Sequence, residues 1–152
     1  MNNVLRVWQV EENKSPLTEN YKLKLKSELK QWIKAVAAEE GFKIAALNYI
    51  LCSDNYLHQI NMTYLQHDTF TDIITFDHSE KKGSIAGDIF LSTDRVIENA
   101  QSFKVSESEE MCRVLVHGAL HLMGYTDKSK ATKLTMTTKE NYYLAKRTFD
   151  GK

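Results

Sequence analysis

Two histidines and one aspartate carry the most telling chemistry in this sequence. His117 and His121 stand four residues apart in "HGALHLMGYTD", and Asp127 closes the stretch. On a helix, an i, i+4 pair places both imidazoles on one face, a turn apart, within reach of one ion. Gly124 supplies the left-handed residue that stops such a helix and lets the chain turn back. Asp127 can then return as a third ligand. Two neutral nitrogens, one anionic oxygen and a fourth position left to water make the pattern of a catalytic zinc, not of a closed structural one. A zinc of that kind lowers the pKa of its water to ~7 and so makes a nucleophile available. The opposing reading is a pair of imidazoles that only hydrogen-bond in the core. The glycine turn, the carboxylate and the apolar setting of Val114, Leu115, Val116, Ala119, Leu120, Leu122 and Met123 favour a metal, because buried polar groups need partners.

Gly118 narrows the reaction. In the HExxH helix of zinc peptidases the residue after the first histidine is the glutamate that acts as general base. Here it is glycine, which argues against peptide cleavage and leaves other metal-assisted hydrolysis open.

The elements that must position these residues are read from periodicity. Val4 to Val10 is expected as a strand. From Thr18 to Glu40, Tyr21, Leu25, Leu29, Trp32, Ile33 and Val36 recur at helical spacing, and Gly41 stops the helix. Its lysines (Lys22, Lys24, Lys26, Lys30, Lys34) read as a solvated face. Lys43 to Cys52 alternates, with Ala45, Leu47, Tyr49 and Leu51 on one side, as a strand does. Asp54 is expected to cap a short helix carrying Leu57, Ile60 and Tyr64. Ile73 to Phe76 and Ile85 to Leu91 form a hairpin around "HSEKKGS". Ser92 to Phe103 is a helix. Ser106 and Glu109 have the form of a capping box that opens the metal-bearing helix. A last helix spans about Ser129 to Thr148. The mixture predicts an α+β fold with a sheet that is not purely parallel.

The 152 residues suffice for one compact domain, expected over 1–152. Lys plus Arg equals Asp plus Glu at 20 each, so net charge argues neither for nor against a nucleic-acid partner. Two cysteines, Cys52 and Cys112, form no CxxC pair and fit a reducing compartment. No signal peptide and no apolar run of the ~20 residues that span a bilayer are visible. A cytoplasmic protein without membrane attachment is expected.

The signature then resembles a known family. "HGALHLMGYTD" is similar to HGxLHLxGYDH of the YbeY family, matching at His117, Gly118, Leu120, His121, Leu122, Gly124 and Tyr125. "NMTYLQHDTFTDIITFD" (Asn61 to Asp77) resembles the family segment around its TDVLSF motif. Gly87, Asp88 and Ile89 match its GDI, and Met136 and Glu140 its M-x3-E spacing. The resemblance spans roughly Asn48 to Leu144.

It implies a zincin-like α+β fold with a mixed sheet of about four strands and a metal site at the end of a core helix. It also implies a metal-dependent, single-strand-specific endoribonuclease that matures the 3′ end of small-subunit ribosomal RNA and serves ribosome quality control. The implied partners are ribosomal RNA and the small ribosomal subunit. One Zn2+ would be held by His117, His121 and Asp127, which act in catalysis through it.

Three positions depart from the family. Its third ligand is usually histidine, here Asp127, which adds charge and weakens the metal as a Lewis acid. Its RNA-contacting arginine is here Leu65, and a proline is here Phe70. Arg113, one turn before His117, is read either as a phosphate contact or as an ion-pair partner of Glu109. Asp72 and Asp88 are read as groups orienting the histidines or as turn caps. His67 and His78 are expected to be exposed, and Cys112 to be a buried apolar residue facing away from the pair. Tyr125 is expected to pack over the turn, and Met136 and Glu140 to close the last helix over the site. Two rival functions stay open: a zincin-type metallopeptidase, and a non-catalytic, metal-stabilised ribosome-assembly factor.

Overall fold

The computed structural model describes residues 5–10 and 26–147. Among them are four strands, β1 (Leu5–Gln9), β2 (Lys43–Cys52), β3 (Ile73–Asp77) and β4 (Ser84–Ser92). Five helices accompany them: α1 (Lys26–Glu39), α2 (Asp54–Leu65), α3 (Thr93–Phe103), α4 (Glu107–Leu122) and α5 (Lys130–Ala145). The strands form one mixed sheet in the order β1-β2-β4-β3. β2 runs parallel to β1 and β4, and the β3–β4 hairpin is antiparallel. This is the expected α+β architecture.

Alternation along the strands builds two cores. Leu5, Leu47, Tyr49, Leu51, Ile85, Ile89 and Leu91 are buried in one cluster with Leu29, Trp32, Ile33 and Val36 of α1 and the apolar side of α4. A smaller cluster, Cys52, Leu57 and Ile74, gathers Ile60 of α2 and Phe76 and Phe90 of the hairpin. β2 breaks its own pattern once. Ile44 pairs with Ile85 and Ala46 with Ala86, so Ala45 is the extra residue of a bulge. Ala45 is therefore exposed, against the expectation that it lies beside Leu47.

The caps also adjust the sequence reading. Ser53, not Asp54, caps α2, its hydroxyl accepting from the Tyr56 N–H at 3.1 Å. Asp54 occupies the first turn, where a negative charge suits the helix dipole, and pairs with Arg95 at 3.1 Å. Of the three residues expected on this helix, Leu57 is buried and Tyr64 is 66% exposed. The Ser106 hydroxyl accepts from Glu109 N–H at 3.0 Å. A complete reciprocal box opens α5 at Ser129 and Thr132. The part of the expected first helix from Thr18 to Leu25 lies outside the described residues, as does Thr148.

α4 positions the site. Met111, Cys112, Leu115, Val116, Ala119 and Leu120 are all buried, so the helix sits in the core. The Tyr49 hydroxyl donates to the Leu115 carbonyl at 2.7 Å and pins α4 to β2. Gly118 fixes how close helix and sheet come. A Cβ there would lie 2.9 Å from both Ile73 Cδ1 and Ile89 Cγ2. The position after the first histidine thus has no room for a side chain. Among the described residues no helix is long and apolar enough to cross a membrane.

Candidate metal centre

The end of α4 shapes the ligand turn. The Tyr125 N–H donates to the Leu120 carbonyl (3.1 Å) and the Gly124 N–H to the His121 carbonyl (3.0 Å). Those two bonds are a Schellman motif, which requires a left-handed residue, and Gly124 has φ +105°. The chain reverses there and brings Asp127 back to the histidines. Asp127 Oδ2 lies 3.4 Å from His117 Nε2 and 3.6 Å from His121 Nε2. The two Nε2 atoms are 2.9 Å apart. Among the described residues, this trio is the one group of three or more such side chains whose ligand atoms converge.

The far side of each ring is occupied. His117 Nδ1 lies 2.5 Å from Glu140 Oε2, and His121 Nδ1 lies 3.0 Å from the Tyr125 carbonyl oxygen. Both partners only accept, so both Nδ1 atoms carry hydrogen, and each neutral ring turns the lone pair of Nε2 inward. Two lone pairs and a carboxylate then face one another. Only a positive charge relieves that arrangement, either a proton shared by the rings or a metal ion. The three ligand-atom separations bracket the ~3.3 Å expected between neighbouring ligand atoms of a tetrahedral zinc with bonds of ~2.0–2.1 Å. The residues fit the ion.

Electrostatics divides the pair. Burial opposes charge on His117, but the Glu140 hydrogen bond and the charges of Glu140, Asp127 and Asp72 outweigh it and raise its pKa. Burial and the adjacent His117 ring lower that of His121.

Glu140 has more than the closing role expected for it. Its second oxygen accepts from Arg113 Nη1 at 2.9 Å, while Arg113 Nη2 donates to Asn141 Oδ1 at 2.7 Å. Arg113 therefore pairs with Glu140 on α5, not with Glu109 on its own helix. The carboxylate is 8% exposed and links an arginine to a candidate ligand histidine. The M-x3-E spacing marks Glu140 but not this link, because its partners lie 23 and 27 positions away.

Glu40, unremarked in the sequence, ties down the turn. The Tyr125 hydroxyl donates to its Oε1 at 2.7 Å. Lys139 Nζ at 2.9 Å and the Tyr143 hydroxyl donate to Oε2. Burial alone would raise its pKa, but the hydrogen bonds from Tyr143, Tyr125 and Lys139 hold it below the usual carboxylate range.

The other expectations divide. Asp88 does not orient the histidines, since its two oxygens meet Asn48 Nδ2 (3.0 Å) and His78 Nε2 (3.2 Å). Asp72 lies beside the site, lining a cavity of about 280 Å³ with Glu110, Arg113, His117, Asp127 and Lys133. His67 and His78 are exposed and Cys112 is buried, as expected. Leu65 is partly exposed and offers a phosphate no charge.

Comparison with known proteins gives a consistent picture. The family model described as Endoribonuclease YbeY matches residues 9–148. A Cytophaga hutchinsonii protein named Endoribonuclease YbeY is 50% identical over 129 residues, covering 85% of this chain and 90% of its own. One of the same name from Flavobacterium johnsoniae is 50% identical over 114 residues, 75% of this chain and 81% of its own. The solution structure of a Thermotoga maritima protein has the same fold, with a TM-score of 0.62, 24% identity, and coverage of 92% of this chain and 86% of that one.

Proposed function

The chain belongs to the YbeY endoribonuclease family, and from that premise we propose that it hydrolyses phosphodiester bonds of single-stranded RNA at a zinc held by His117, His121 and Asp127. The observation that carries this reading is the inward-facing set of two Nε2 atoms and one carboxylate oxygen, with both Nδ1 atoms tied behind it. Bound there, zinc supplies Lewis acidity toward a phosphoryl oxygen and a nucleophile drawn from water.

The chain's own residues do the rest. Glu140 and the Tyr125 carbonyl fix the two rings with their lone pairs inward. Asp127 completes the set from the turn and leaves the cavity side open to substrate. Arg113 keeps N–H donors beyond the two bonds it makes, since a guanidinium has five. It and Lys133 are the cationic groups of the cavity, and they hold the substrate phosphate in place of the missing arginine at Leu65.

We assign the RNA as the 3′ region of small-subunit ribosomal RNA, cleaved during maturation and quality control of that subunit in the cytoplasm, by one domain spanning 1–152. The peptidase alternative fails at Gly118, where a glutamate would collide with Ile73 and Ile89.

The test is direct. Metal content is measured on the purified protein, and cleavage of single-stranded ribosomal RNA is compared for wild type, His117→Ala and Asp127→Ala. Loss of bound zinc and of cleavage in both variants is expected. Equal cleavage by all three sinks the proposal. A His121→Ala protein that melts lower yet still processes ribosomal RNA would favour the non-catalytic assembly factor.

A further inference from the structure

The cavity holds one more acidic group with no task in the chemistry above. Glu110 lies on the face of α4 that carries His117, two turns earlier and about 10 Å away along the axis. It is 4% exposed and lines the cavity with Asp72, Arg113 and His117. Among the described residues none donates a hydrogen bond to its carboxyl. Arg113, three positions on, is turned toward Glu140 and Asn141 instead. Nor are its oxygens among the sealed, unpartnered side-chain atoms of the described residues, so they open on the cavity. Burial pushes this carboxyl up to about 7; Arg113 opposes that, and Asp72, Glu140 and Glu109 add to it. A buried carboxyl without a partner weakens the fold, and groups kept at such a cost concentrate where a ligand is met.

What could meet it is limited. A phosphate is repelled. A second cation would find too few ligands, since the one convergent set among the described residues is the His117 trio. The scissile bond, held at that trio, is too distant for proton transfer. What remains within reach is the base of a neighbouring nucleotide. Single-stranded RNA is read by hydrogen bonds to its exposed base edges, and a glutamate accepts from an exocyclic amino group.

Resting on the RNA-hydrolase reading above, we propose that Glu110 is a base-reading residue, accepting a hydrogen bond from the amino group of cytosine, adenine or guanine next to the cleaved phosphate. Uracil is disfavoured there. Its one base donor sits between two carbonyl oxygens, both of which repel the ionised carboxylate.

Two arms test this. Binding of oligo(C) and oligo(U) to the metal-free protein at about pH 8, where Glu110 is mostly ionised, is followed by fluorescence anisotropy for wild type, Glu110→Gln and Glu110→Ala. Wild type is expected to prefer oligo(C) about tenfold, as for a hydrogen bond to a charged acceptor. Glutamine can donate as well as accept, so Glu110→Gln should bring the two to near parity, as should Glu110→Ala. In the second arm, a single-stranded RNA with a randomised segment is cut by the zinc-loaded proteins and the ends are sequenced. Uridine should be depleted at one position beside the cut by wild type alone. Cleavage with the same base profile in all three proteins overturns the inference and leaves the hydrolase reading standing. A binding preference without cleavage does the reverse. Glu110→Gln is isosteric, so a binding change in a protein that melts no lower than wild type cannot be assigned to misfolding.

Discussion

The Glu140 carboxylate lies 2.5 Å from Nδ1 of His117 and, through its other oxygen, 2.9 Å from Arg113 Nη1. One side chain of α5 thereby sets which nitrogen of this candidate ligand is free to bind a metal. Removing such a partner usually costs 10–100-fold in metal affinity. Glu140→Gln should therefore bind zinc about 10–100-fold more weakly in competition with a chromogenic chelator. Unchanged affinity would mean that something else holds the His117 tautomer.

Gly118 gives a prediction about stability. Alanine is the better helix former by about 1 kcal/mol. At this position its methyl would lie 2.9 Å from Ile73 Cδ1 and Ile89 Cγ2. Overpacking typically costs about 1–3 kcal/mol, and Ile89, being β-branched, yields little. Gly118→Ala should come out destabilised by about 1 kcal/mol in urea unfolding, and Gly118→Glu far more. An alanine variant more stable than wild type would show that the helix can lift from the sheet.

Glu110 predicts how stability varies with pH. Its folded pKa of about 7 lies above the unfolded carboxylate value, so the folded chain holds a proton that the unfolded chain has lost. The resulting penalty is absent below the unfolded value, grows as pH rises toward 7 and is complete above it. Arg113, Asp72, Glu140 and Glu109 are the charged groups that act on it. Glu110→Gln should match wild type near pH 4 and exceed it at pH 8, by on the order of 1–3 kcal/mol. A difference that does not change with pH would contradict this.

Metal and fold should be linked. Zinc at a hundredfold excess over its Kd stabilises the folded state by about 2.7 kcal/mol. For a chain of this size that is roughly 5–10 °C in Tm. A chelator should lower the Tm of wild type by about that amount and leave His121→Ala unmoved. An equal drop in both would point to an effect of the chelator elsewhere.

Local features of the structure were legible in advance, and long-range ones were not. His117, His121, Gly124 and Asp127 lie within eleven residues, so helical spacing and a glycine stop suffice to bring them together. The hairpin and the face of α1 follow from alternation and period in the same way. Glu40 and Glu110 escaped, and Glu140 was placed at the site without its partners, because their roles depend on which helices lie side by side. A glutamate in an amphipathic helix reads as solvated until its neighbours are known. Ala45 was misplaced because one bulged residue reverses the faces of a strand, and no residue type marks it. Asp88 was misjudged because its partners are Asn48 of β2 and His78, just past the end of β3, not the histidines of α4.

Glu40 has a consequence for how the protein opens. Its two oxygens hold the end of α1, the ligand turn at Tyr125, and Lys139 and Tyr143 of α5. Freeing the turn takes a donor from a carboxylate that also anchors a second helix, so the three are coupled. These three segments should act as one cooperative unit in hydrogen exchange, with their slow amides opening at a common free energy. Assembly of the metal pocket and docking of the last helix would then be a single event.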